Sequence, residues 1–131
     1  MTVLSFSHYN LRAPRPLLDE LCRFYCDVVG LHIGERPPFD IFGYWLYAGD
    51  QDVLHLAETT PDDSRQLNVN GTFDHAAFNC TDLNKVQWHL RNAGIRYHSS
   101  TVPLTGRIQL FFSDPAGNGV ELNFPDEGSD A

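Results

Sequence analysis

Phe6-Ser7-His8-Tyr9-Asn10-Leu11 and Phe73-Asp74-His75-Ala76-Ala77-Phe78 are two versions of one pattern, a β-like run with a histidine two places after a phenylalanine. Each is followed by a helix-like run that stops at a glycine and then by further β-like runs. The last run of each half holds one polar residue between apolar ones, His55 in Val53-Leu54-His55-Leu56-Ala57 and Glu121 in Val120-Glu121-Leu122-Asn123-Phe124. His8 and His75 are 67 positions apart, His55 and Glu121 66. Potential metal ligands therefore stand at matching places in both halves.

Working outward, the spacing predicts a strand over 3–11, broken by Ala13-Pro14-Arg15-Pro16, with the second proline suited to a first helical turn. Leu17, Leu18, Leu21, Tyr25, Val28 and Val29 recur at helical spacing, and Gly30 stands where a helix ends. Strands are expected over 31–35, 43–48 and 53–57, with a turn at Gly49-Asp50-Gln51-Asp52. The polar stretch 59–71 is expected to be a surface linker. The order then repeats: a strand over 73–80, a helix capped by Thr81 or Asp82 and closed by Gly94, and strands over 95–98, 107–112 and 120–124. The expected plan is one domain: module one over 1–58, linker 59–71, module two over 72–125 and a frayed tail over 126–131.

The chain has 131 residues, 42% of them hydrophobic, enough for one compact core. Its net charge of −8, one lysine and scattered arginines argue against a nucleic-acid surface and toward small-molecule partners. No apolar run reaches membrane-spanning length, and the N-terminus has no basic region followed by an apolar one, so the expected address is the cytoplasm. Cys22, Cys26 and Cys80 lack zinc-type spacing and fit a reduced compartment; the helical pair Cys22 and Cys26 reads as packing.

In the last strand of each half, alternation sets Leu54 and Leu56 against His55, and Val120, Leu122 and Phe124 against Glu121 and Asn123. The apolar face should pack on the helix of its half, leaving the polar residues on the other face. If the halves pair symmetrically, His8, His55, His75 and Glu121 converge, and three imidazoles with one carboxylate suit a divalent transition metal such as Zn, Fe, Mn, Ni or Co. A single histidine on a strand is usually structural. A half-buried carboxylate without a cation or donor is costly, so Glu121 strengthens the set. His55 is open to three roles: fourth ligand, acid/base residue or substrate contact. His32, His89 and His98 read as surface residues.

These residues carry a resemblance to the vicinal oxygen chelate superfamily, which includes glyoxalase I, extradiol dioxygenases and bleomycin-binding proteins. The matching segments are 7–11, 23–31, 53–56, 73–78 and 114–122. The resemblance implies an α+β fold of two tandem βαβββ modules forming a curved mixed sheet cup, helices on the outer face. It implies His8, His75 and Glu121 as ligands of one divalent ion, with His55 where bacterial glyoxalase I carries a glutamate. It also implies a homodimer with sites shared between subunits. Phe111 stands where extradiol enzymes carry a tyrosine, which weakens a dioxygenase reading, and the ligand set counts against pure sequestration.

The expected activity is that of a metal-dependent, glyoxalase-like lyase or isomerase acting on a small vicinal-oxygen substrate through a metal-stabilised enediolate. Glu121 or His55 would be the base. Strand parity makes Asn10, Trp45, Gln109, Phe111 and Asn123 candidate pocket residues. The alternatives are an Fe(II) dioxygenase of the extradiol type and a non-catalytic small-molecule binding or resistance protein.

Overall fold

The computed structural model describes residues 2–69 and 71–125, so the tail expected over 126–131 lies outside the described residues. The chain gathers into two compact units, residues 1–67 and 68–131. Each has its own four-stranded mixed sheet and one α-helix, the arrangement that the repeat implies.

In the first unit the elements are β1 (Tyr9–Ala13), α1 (Arg15–Phe24), a π-helical turn (Tyr25–Val29), β2 (His32–Gly34), β3 (Gly43–Ala48) and β4 (Gln51–Glu58). The sheet order is β1-β4-β3-β2. β1 and β4 run parallel while the other pairs are antiparallel. A parallel pair cannot be closed by a tight hairpin, so the whole module lies between its two members.

α1 starts as its prolines dictate, with Pro14 at the N-cap position, and buries Leu18, Leu21, Cys22 and Phe24. It lies against β1, β3 and β4, where Leu46, Leu54 and Leu56 are fully buried. Each such leucine contributes roughly 1.5–3 kcal/mol through burial. The Tyr44 hydroxyl donates to Asp19 Oδ1 at 2.7 Å and ties the helix to β3. The regular helix expected through Val29 changes to π geometry after Phe24. The amides of Gly30 and Leu31 both reach back to the Tyr25 carbonyl, and Gly30 ends the turn at φ 100°.

The second unit contains β5 (His75–Asn79), α2 (Leu83–Asn92), β6 (His98–Thr101), β7 (Ile108–Ser113) and β8 (Gly119–Phe124), in the order β5-β8-β7-β6. β5 and β8 are parallel. Leu110, Val120, Leu122 and Phe124 form its core with Leu90 of α2. Asp82 occupies the N-cap position with φ 64° but makes no side-chain cap hydrogen bond.

Several expected boundaries move, each for a hydrogen-bonding reason. β1 begins at Tyr9 rather than Val3, because its partner β4 offers pairing only from Leu54 to Glu58. Val3, Leu4 and Phe6 are left exposed. β5 likewise begins at His75 rather than Phe73. The strand expected over 95–98 starts at His98 instead, since Gly94 and Ile95 amides still serve the end of α2 and pairing with β7 begins at His98 opposite Phe111. The turn at 49–52 is only Gly49-Asp50, with Gln51 and Asp52 already in β4.

Candidate metal and substrate site

In the first sheet, register sets Asn10, His55 and Trp45 side by side across β1, β4 and β3. His55 is 7% exposed because it lies between two rings. Trp45 stacks on one side at 3.9 Å between centroids and 7° between planes, His8 on the other at 3.6 Å and 20°. His55 Nε2 is 2.6 Å from Asp52 Oδ2. That hydrogen bond holds the Asp52 carboxyl below its usual range, because a donor stabilises the charged form.

Asp52 was hidden from strand parity, since residues three apart on a regular strand face opposite ways. The register explains its position: Leu46 pairs with Leu54 but Tyr47 pairs with Asp52, so Val53 is an extra residue in β4. This β-bulge returns Asp52 to the face of His55. His8, Asp52 and His55 can each present one ligand atom within 4.8 Å of the others. An ion bound by an imidazole lies in the ring plane, and two nearly parallel planes cannot share one ion. The exposed His8 ring must therefore turn to join His55 on a metal.

In the second sheet, His98, Phe111, Glu121 and Ala77 form one transverse row. Glu121 is 4% exposed, and both of its oxygens are engaged. Oε1 lies 3.0 Å from His75 Nε2, and Oε2 accepts from Gln109 Nε2 at 3.1 Å. The other ring nitrogen of His75, Nδ1, is 2.7 Å from Asp74 Oδ2. A carboxylate behind a metal-ligating histidine fixes its tautomer and orientation. Asp74 and Asp52 are candidates beside these histidines that the sequence pattern did not single out.

The expected pocket residues divide between the units. Asn10 and Trp45 line a cleft of the first unit together with His55. Phe111 sets its ring edge on His75 at 5.6 Å and stacks on His98 at 5.0 Å. Asn123 is occupied structurally, its Oδ1 accepting from Arg107 Nε at 3.0 Å. His32, His89 and His98 are exposed. The structure thus brings His8 to His55 within the first unit and His75 to Glu121 within the second. Their imidazole and carboxylate donors, one carboxylate deeply buried, fit a borderline divalent ion.

No helix among the described residues is long and apolar enough to cross a membrane. No curated protein matches the chain. Among solved structures, a glyoxalase family protein from Bacillus anthracis is similar at 20% identity and TM-score 0.71, covering 95% of this chain and 98% of the other. A lactoylglutathione lyase from Agrobacterium tumefaciens is similar at 23% identity and TM-score 0.63, with 95% and 96% covered. An antibiotic binding protein from Streptomyces is similar at 17% identity and TM-score 0.65, with 95% and 98% covered. At these identities the structures testify to the fold. The model of the Glyoxalase/Bleomycin resistance protein/Dioxygenase superfamily matches residues 5–122, nearly the whole chain, and the protein belongs to that superfamily.

Proposed function

We infer that the protein is a divalent-metal-dependent enzyme of the glyoxalase-like type, a lyase or isomerase acting on a small substrate with neighbouring oxygens. The observation that carries this is the paired arrangement of ligand-type residues in equivalent strands, His8 with His55 and His75 with Glu121. His8, His75 and Glu121 would hold the ion, from one chain or from two chains of a homodimer. Zn, Fe, Ni, Mn and Co all suit this donor set. When bound, such an ion supplies Lewis-acid stabilisation of negative charge developing on the substrate oxygens.

His55 is the residue best arranged to carry the proton. Asp52 takes one ring nitrogen at 2.6 Å, and the flanking rings of Trp45 and His8 restrict its rotation. Gln109 holds Glu121 in place through Oε2. Trp45 and Phe111 present flat apolar surfaces to a planar substrate. Those surfaces also favour a second reading, non-catalytic sequestration of a flat molecule, which the likeness to an antibiotic binding protein makes worth testing.

Elemental analysis of protein purified without chelators tests the metal. One ion per site is expected, lost in His8→Ala and in Glu121→Ala; full retention in Glu121→Ala overturns the assignment. Turnover of the hemithioacetal of glutathione and methylglyoxal by the loaded protein supports the lyase reading. Oxygen consumption with an iron-loaded protein would instead point to a dioxygenase, and ligand binding by a protein that holds no metal to sequestration.

A further inference from the structure

The first unit has a cleft of ≈ 330 Å3 beside His55 and Trp45, bounded also by Asn10, Arg12, Arg36 and Phe39. Among the described residues neither arginine is paired with a carboxylate. Each is anchored through one terminal nitrogen to the backbone, Arg12 Nη2 to the Glu58 carbonyl at 3.0 Å and Arg36 Nη2 to the Ile41 carbonyl at 2.7 Å. The Nε atoms of both are buried without a hydrogen-bond partner. With Nε buried and one terminal nitrogen anchored, each guanidinium offers the N–H groups of its other terminal nitrogen, and two such forks on one cleft point to an acceptor that the substrate brings.

The floor between them is shaped to let such a group in. Arg12 pairs with Ala57, and Ala57 pairs with Gly43, so the row beneath the guanidiniums holds the two smallest side chains. Arg36 reaches over Gly43, where an added Cβ would lie 3.0 Å from its Nη2. Its guanidinium is 5.0 Å from the centre of the Phe39 ring, and Phe39 is tilted against Trp45 at 6.2 Å. This row is one pleat from the row of Asn10, His55 and Trp45, a separation of roughly 7 Å. In a chain of net charge −8, two cations in one cleft, with only the more distant Asp63 acting on Arg12, focus an attraction for anions.

We propose that Arg12 and Arg36 bind the carboxylate of a planar small-molecule acid, whose flat body lies against Phe39 and Trp45 and whose reacting oxygens reach His55. The proposal deepens the enzymatic reading above and rests on it for the role of His55. The planar fork of arginine matches a carboxylate in two-point contact, and the backbone anchors hold both forks before the acid arrives.

The test uses Trp45 as reporter in a Trp88→Phe background, since the chain has only two tryptophans. Benzoate, benzamide and inorganic phosphate are titrated separately into chelator-treated protein, and fluorescence is followed. Saturable quenching by benzoate but not by benzamide is expected, weakened roughly tenfold or more in Arg12→Gln and in Arg36→Gln. Equal binding of benzamide, or unchanged benzoate affinity in both variants, overturns the proposal. Tighter binding of phosphate than of benzoate overturns the choice of carboxylate. The comparison of benzoate with benzamide needs no arginine variant, only the background change at the exposed Trp88, so misfolding of the arginine variants cannot decide it. Because the protein is metal-free, failure here is distinct from failure of the metal assignment, which elemental analysis reads separately.

Discussion

The carboxylate of Asp52 lies 2.6 Å from Nε2 of His55 although the two residues are three apart on one strand. The bulge at Val53 makes that contact possible, and the contact makes Asp52 a positioning residue for the imidazole. Asp52→Asn is expected to reduce metal affinity or turnover by about 10–100-fold while leaving the sheet intact. Affinity titration and steady-state rates, with far-ultraviolet circular dichroism as the folding control, check this.

The same contact has a pH signature. The folded-state pKa of Asp52 is depressed below its ordinary 3.8, so its contribution to stability is present above that value and lost as the pH falls through the folded pKa. The difference in Tm between the wild type and Asp52→Asn should therefore be largest near neutrality. It should shrink below pH 3.8. Thermal melts across an acid series give the comparison.

Glu121 should be a residue kept for chemistry at no gain in stability. Replacing a buried ionic group by an apolar one of similar volume is often neutral or stabilising, so metal-free Glu121→Met should unfold at no lower urea concentration than the wild type. His75→Ala, which leaves the carboxylate with only Gln109, should cost about 1–2 kcal/mol. The value is modest because the His75 side chain is one-third exposed. Urea midpoints on chelator-treated protein measure both.

Gly43→Ala should destabilise the first unit by about 1–3 kcal/mol, since no nearby space accepts a methyl group. The added Cβ would collide with the Leu56 carbonyl oxygen and crowd Arg36. Equilibrium unfolding gives the magnitude, and a parallel loss of benzoate binding would show that Arg36 had moved.

Cys22 should react slowly with a disulfide reagent in the native protein. Burial first, and then the neighbouring Cys26, push its thiol up to about 12, so little thiolate exists at neutral pH. Denaturant should raise the modification rate sharply, which peptide mapping of Cys22 after timed labelling would show.

The repeat was legible because it rests on side-chain chemistry recurring at a fixed interval: His8 with His75, His55 with Glu121, and glycine after each helix. The mixed sheet of each βαβββ module was implied by the family resemblance, whereas the parallel pairing of first and last strands was seen only in the structure. What it could not disclose depends on backbone irregularity. Parity fails at Val53, so Asp52 was read as part of a turn. Arg36 lies on a loop and reaches the cleft only because Gly43 lets it pass, and no period describes that. Strand ends at Tyr9 and His98 are set by the reach of a distant partner rather than by local propensity. The π-helical turn at Tyr25–Val29 preserves the expected helical span while changing its hydrogen bonding.

The parallel pairing of first and last strands has one more consequence. His8 cannot meet His55, nor His75 meet Glu121, until the two ends of a module have closed over everything between them, a long loop for a small fold. A ribosome-bound chain that stops short of residue 51 would own a finished helix and no pairing of His8 with His55. The stacked trio of the first unit would thus form abruptly, with the last zip of β1 onto β4, and quenching of Trp45 by its stacked imidazole would be the clock that times it.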